Sequence, residues 1–220
     1  MLKSSKHHCW PSTAKSKAAS EATEQAGLEQ LNALWPRLED AFRRLSGGYM
    51  HAEPRSTLKL DDRYLGIWTE GALHQVAINA AVDGLLAVRS MIVDAETVPM
   101  TALYPVLRAS IENAALALSM ILPVDRDERL LASFRAMADD AKRRRQFLVS
   151  SAAPDAQQQS DDAMDDIDSL LAQRPSLAGY AARDLALPTY TALVGAADDR
   201  LVADPAHDRS HRLTLTSLWQ

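Results

Sequence analysis

Apolar residues recur every three or four positions along much of the chain, which is the period of an amphipathic helix. The clearest apolar stripe consists of Leu28, Leu31, Leu34, Leu38, Phe42 and Leu45. It predicts a first helix that runs from Ser20 or Glu21 to Leu45. Trp35 borders the stripe and is followed by Pro36, which should kink the helix or restart it.

Two further segments, residues 67–93 and 103–122, are apolar around most of their circumference. The first predicts a long second helix from Asp61 or Asp62 to Asp94, and the second a third helix that ends at Pro123. Both segments carry charged residues, and each charge costs roughly 2.5 to 3.5 kcal/mol at a bilayer centre. We therefore expect no membrane span, but an antiparallel hairpin of buried helices over Asp61–Pro123.

The later part of the chain predicts shorter helices. Asp125 followed by Glu128 resembles a capping box and predicts a fourth helix to about Leu148. Further helices are predicted over 160–172, over 176–187 and after Pro188, and the helical pattern fails from Asp198. The sequence thus predicts an all-α helical bundle built around the long antiparallel hairpin. A disordered tail over 1–20 and an irregular tail over 198–220 should flank this bundle domain of residues 21–197.

The amino-acid composition agrees with a helical protein and narrows the partners and the cell compartment that we expect for it. Ala and Leu carry most of the apolar content, and aromatic residues make up only 5%. The formal net charge of −5 argues against a general nucleic-acid binder, because such proteins need a cationic surface. The single Cys9 has no disulfide partner, and the first 20 residues hold no apolar core segment. These features predict a cytoplasmic protein, and the preference for Arg over Lys is typical of bacteria with GC-rich genomes.

The strongest polar feature lies within the two most apolar segments. Counting from a hairpin centre near residue 97 predicts that Asp83 meets Arg108 and that Asn79 lies near Glu112. Charges buried between apolar helices must be paired, since they otherwise cost several kcal/mol. Two interpretations of this polar cluster stay open: an ion-pair network that fixes helix register, and a binding pocket for a small molecule.

Metal and nucleophile chemistry find little support in the sequence. A di-iron site in a bundle uses Glu-x-x-His on two helices, whereas Glu70 and His74 are four residues apart and have no second copy. There is also no Gly-x-Ser-x-Gly turn and no Gly-rich phosphate loop. We predict no cofactor and no metal site.

The predicted fourth helix is rich in cations. It carries Arg126, Arg129, Arg135 and the run Lys142-Arg143-Arg144-Arg145. We interpret these residues as a solvated face, with cations favoured near a helix C-terminus. The alternative is a patch that binds RNA or phosphate.

Near the end of the chain, Arg200 and His207 are separated by six residues. This spacing resembles the Arg-x(4–6)-His motif of the HEPN superfamily, all-helical bacterial proteins that include dimeric, metal-independent ribonucleases of toxin and phage-defence systems. The stretch from Leu103 to Arg145, which contains Leu-Arg-x-Ser-Ile-Glu-Asn from Leu107, is similar to uncharacterised bacterial helical proteins near this superfamily. The resemblance implies that Arg200 stabilises developing phosphate charge and that His207 acts as acid or base.

Three classes of function follow. The first is a non-catalytic protein-interaction or scaffold module, which needs nothing beyond the pattern described. The apolar stripes Leu28–Leu45 and Ile167–Leu171 would then serve a protein partner or a homodimer. The second is the HEPN-like ribonuclease with RNA as its partner. The third is a small-molecule binder that uses Asn79, Asp83, Arg108 and Glu112.

Overall fold

The computed structural model describes residues 14–46, 55–65, 73–95 and 100–203. Throughout these ranges the regular structure is helical and contains no strand, so the all-α prediction is confirmed. The described helices are α1 (Ala14–Ser46), α2 (Thr57–Leu65), α3 (Leu73–Arg89), α4 (Met100–Ile121), α5 (Arg126–Ser150), α6 (Ala156–Ala172) and α7 (Tyr190–Ala203). A π-helical turn over Ser90–Asp94 prolongs α3, and a 3-10 turn over Ala182–Asp184 precedes α7.

Both ends of the bundle differ from the prediction. Helix α1 begins at Ala14, inside the segment predicted to be disordered, and α7 continues to Ala203, beyond the predicted domain end at residue 197. The N-terminal extension contains three alanines, Ala14, Ala18 and Ala19, and alanine is the strongest helix former. Helix α1 also continues through Pro36 without interruption. The first and last described helices thus extend beyond residues 21 and 197.

The helix predicted over 176–187 is wrong. This stretch consists of turns, and the backbone N–H of Ala182 donates to the Asp168 carboxylate at 2.6 Å instead of to a helical carbonyl. Ala182 and Leu185 are nevertheless buried against α5 and α6. The segment therefore crosses the bundle as an irregular strap that is held by its apolar side chains.

The long hairpin over Asp61–Pro123 is not confirmed, because α2 and α3 do not form one continuous helix. Nδ1 of His74 lies 4.0 Å from a carboxylate oxygen of Asp62. A straight helix would separate these residues by about 18 Å along its axis. Helix α2 therefore packs beside α5 instead of extending α3.

The main core lies between α5 and α6. Leu130 and Phe134 of α5 are fully buried, and they share a cluster with Ile167 and Leu171 of α6. The hydroxyl of Tyr64 on α2 donates to the Leu170 carbonyl at 2.5 Å and ties α2 to this core. The prediction that the stripe Ile167–Leu171 forms a dimer surface is therefore wrong, because other residues of the same chain cover this stripe.

Small residues bring α3 and α4 close together. Ala77 of α3 packs in one cluster with Ala117 of α4, and Gly84 lies directly against Ser110. A Cβ atom at Gly84 would lie 2.1 Å from the Ser110 hydroxyl oxygen, which donates to the Val106 carbonyl. The two contacts follow the helices in opposite directions, so α3 and α4 run antiparallel at close approach.

This contact makes the effect of Gly84→Ala depend on Ser110. In the wild-type protein the new methyl group displaces the buried hydroxyl, and the lost hydrogen bond offsets the gain in helix propensity. In a Ser110→Ala background the methyl group has room, and Gly84→Ala should stabilise the protein by about 0.5 to 1 kcal/mol. Urea unfolding of the four proteins in a double-mutant cycle should show a coupling of about 1 kcal/mol. Additive effects would contradict the close approach.

Candidate functional site

The predicted polar cluster does not form a buried site. Asn79 and Asp83 are exposed, and Nε of Arg108 donates to Glu112 one turn away, at 2.8 Å, instead of to Asp83. Gln75 likewise donates to Asn79 along the helix surface. These groups form local pairs within single helices, which contribute little to stability or to binding.

The reason lies in which face of α3 meets α4. The buried positions Ala77 and Ala81 lie on the same face as Gly84. Successive residues of a helix are about 100° apart, so Asp83 points away from the contact line. Counting residues along the sequence predicts which residue of α4 lies opposite Asp83. It does not predict on which face of α3 the Asp83 side chain lies.

A buried ionic centre instead connects α2 with α5. Asp61 is 9% exposed at its side chain and accepts hydrogen bonds from Nε of Arg126 at 2.7 Å and Nε of Arg129 at 2.8 Å. Arg129 also donates to the carbonyls of Pro123 and Val124, at the turn between α4 and α5. One carboxylate thus fixes α2, α5 and the preceding turn relative to one another.

This centre corrects two interpretations of the sequence. A helix was predicted to begin at Asp61 or Asp62 and Arg129 to belong to a solvated face, yet α2 begins at Thr57 and both Asp61 and Arg129 are buried. Arg126 is partly exposed and also lies over the Tyr64 ring, 5.8 Å from its centroid. The prediction that Asp125 caps the fourth helix is confirmed, because its carboxylate accepts from the N–H groups of Asp127 and Glu128.

His74 lies beside this centre at a cavity of about 20 Å³. The cavity is lined by residues of α2 to α5 that include Asp61, Asp62, Leu65 and Arg129. A space of this size holds about one water molecule, so it is too small for a substrate. Burial lowers the pKa of His74 from its ordinary value of 6.5, and the charge of Asp62 opposes that shift in part.

The lowered pKa predicts how stability changes with pH. The unfolded chain binds a proton at His74 more readily than the folded protein does, so the folded state loses stability as the pH falls through about 6.5. We expect the free energy of unfolding to decrease between pH 7 and pH 5. His74→Gln should show a shallower decrease when both proteins are unfolded in urea at each pH. Parallel curves would contradict this role of His74.

The cationic run at the end of α5 is largely engaged in contacts within the chain. The Lys142 ammonium donates to the Leu185 carbonyl at 2.7 Å, and Arg143 and Arg144 pair with Asp139 and Asp140 on the same helix. Arg143 also lies over the ring of Tyr190 at the start of α7. This run therefore anchors the strap before α7, which favours the structural interpretation over a phosphate-binding patch.

Helix α1 has an unusually exposed apolar surface. Leu38 is the buried residue among its described side chains, whereas Leu34 and Phe42 are 41% and 44% exposed. The helix packs on α3, and Arg89 of α3 pairs with Glu39 at 3.1 Å. Leu34 and Phe42 of the predicted apolar stripe thus remain in contact with solvent.

A cleft with a volume of about 360 Å³ lies between α5 and α7. Arg200 of α7 lies at its edge and pairs with Glu128 of α5 at 3.6 Å. His207 lies outside the described residues. The ribonuclease motif therefore stays a prediction, with Arg200 placed at a cleft.

No family model, no curated protein and no solved structure matches this chain. In the described part of the chain, the helical stretch Leu73–Asp94 is long and apolar enough to cross a membrane by length and composition. Only 22% of its most apolar window is buried.

Proposed function

We propose that this protein is a helical interaction module that associates with a second copy of itself through α1. The observation that carries the proposal is the apolar stripe of α1, a 33-residue helix about 50 Å long, on which Leu34 and Phe42 are exposed. Exposed contiguous apolar surface on a folded protein is typical of an interaction site. A second copy would cover Leu34 and Phe42.

The spacing of the stripe favours a second copy over an unrelated partner. With Trp35 in place of its neighbour Leu34, the apolar positions are 28, 31, 35, 38, 42 and 45. Their spacing of 3, 4, 3, 4 and 3 is the heptad pattern of a coiled coil. It reads the same in both directions, so an antiparallel copy of α1 presents a matching stripe.

Antiparallel pairing also suits the charges of α1. If the stripes pair end to end, position 28 lies level with Leu45 of the second copy and position 31 with its Phe42. The same register places Glu29 level with Arg44 of the second copy. A parallel pair would instead place like charges side by side and align the two helix dipoles, which is unfavourable.

The state of association in solution tests this proposal. A monomer has a mass of 24.1 kDa. Sedimentation equilibrium over a dilution series is expected to show a reversible doubling of that mass. A monomer at every concentration would overturn the proposal, and a larger open assembly would overturn the two-fold pairing.

A second candidate is the metal-independent ribonuclease implied by the HEPN resemblance. The position of Arg200 at the edge of the cleft between α5 and α7 favours it, because that side chain reaches a space open to a ligand. The test is cleavage of RNA in EDTA beside a His207→Ala control. Cleavage that the control loses would support the ribonuclease, and intact RNA with both proteins would exclude it.

A further inference from the structure

The cleft between α5 and α7 is built from apolar faces of both helices. Helix α4 packs on α5 and on α7 and leaves the space between them open. Leu131 and Ala132 form one wall, and Leu193 and Ala196 form the other. Leu187 and Pro188 also line the space. Its volume of about 360 Å³ lies in the range of small-molecule sites, about 300 to 1,000 Å³.

The described residues that line the cleft carry one net positive charge. Arg200 is paired with Glu128, so these two residues largely neutralise each other. Arg135 also lines the cleft, is partly buried, and makes no ion pair with the carboxylates of the described residues. A guanidinium group in this position attracts a planar anionic group, since it offers several N–H donors in a fixed geometry.

We propose that this cleft binds a small amphipathic anion, with its carboxylate, sulfonate or phosphate head at Arg135 and its apolar body between Leu131 and Leu193. The apolar walls exclude a highly charged ligand such as a nucleoside triphosphate, because its charge would exceed the one unpaired cation. An uncharged ligand would leave Arg135 without a partner. Binding of this anion in the cleft requires neither the pairing of two copies through α1 nor His207.

The probe for this site is 8-anilinonaphthalene-1-sulfonate, which joins an aromatic body to one anionic group and fluoresces in apolar sites. The full-length folded protein is expected to bind it saturably at one site per chain. Decanoate should displace the dye, whereas 1-decanol, which has the same body without the charge, should displace it at least tenfold less well.

Three variants separate this cleft from other apolar surfaces. Arg135→Gln removes the unpaired charge and should weaken dye binding at least tenfold. Ala196→Phe fills the space between the walls, keeps every charge, and should weaken binding to a similar degree. Arg145→Gln removes an exposed arginine of the same helix outside the cleft and should leave binding unchanged. Thermal melts establish that all three variants are folded.

The expected pattern is loss of binding in the first two variants and retention in the third. Equal binding by the wild type, Arg135→Gln and Ala196→Phe would overturn the proposal, since the dye would then occupy another surface such as α1. Absence of saturable binding to the wild type would overturn it as well.

Discussion

Asp61→Ala is expected to lower the free energy of unfolding by about 3 to 5 kcal/mol. The substitution leaves Arg129, which is 7% exposed at its side chain, without its buried counter-charge. It also releases Arg126 and removes the connection between α2 and the turn before α5. An unpaired buried cation costs far more than a broken surface pair, because the protein cannot replace the lost solvation.

Urea unfolding followed by circular dichroism measures this loss. The matched control is Asp140→Ala, which removes an aspartate that is 53% exposed and paired with Arg144 on the surface of α5. That control should change stability by less than about 1 kcal/mol. If Asp61→Ala destabilised the protein no more than Asp140→Ala does, the ionic centre would not hold α2 in place. Asp61→Asn, which keeps the shape but not the charge, should fall between them.

Phe42→Glu is expected to convert the proposed dimer into a monomer. The phenyl ring is 44% exposed in one chain, and the proposed pairing would bury it against α1 of the second copy. A carboxylate at this position would have to be desolvated on association, which costs several kcal/mol. Because each 1.4 kcal/mol changes affinity about tenfold, the dissociation constant should rise about a hundredfold or more.

Light scattering coupled to size exclusion measures the change in mass. Phe147→Glu is the matched control, because it makes the same substitution at a phenylalanine of α5 that is 68% exposed. That control should remain associated, and both variants should melt within a few degrees of the wild type. A Phe42→Glu protein that kept the wild-type mass would place any association elsewhere on the surface.

The features that could be predicted from the sequence are those set by local pattern. The cap at Asp125 needs only the residues of one helical turn, and it was predicted correctly. The period of the apolar residues likewise predicted helices close to α4, α5 and α6. The apolar stripe of α1 likewise indicated a helix, and α1 contains it. The pattern could not show which residues of the stripe the rest of the chain covers.

The features that could not be predicted depend on contacts between distant residues. Asp61 meets Arg126 and Arg129 across more than sixty positions, and no local spacing indicates that pairing. The placement of α2 beside α5 could not be predicted either, because the apolar pattern of residues 67–93 favours one continuous helix. The cleft beside Arg135 arises where α5 and α7 diverge on α4, which is a property of packing.

Distances between spin labels on α1 test whether two copies of the protein pair through this helix in antiparallel orientation. In a Cys9→Ser background, labels are attached at Arg37→Cys or at Arg44→Cys, two exposed positions of α1. The antiparallel register places the two copies of residue 37 nearly level, and separates the two copies of residue 44 by about 22 Å along the helix axis. Antiparallel pairing therefore predicts a shorter distance between the two labels at residue 37 than between the two labels at residue 44. Equal distances at both positions, or no dipolar coupling at either, would contradict it.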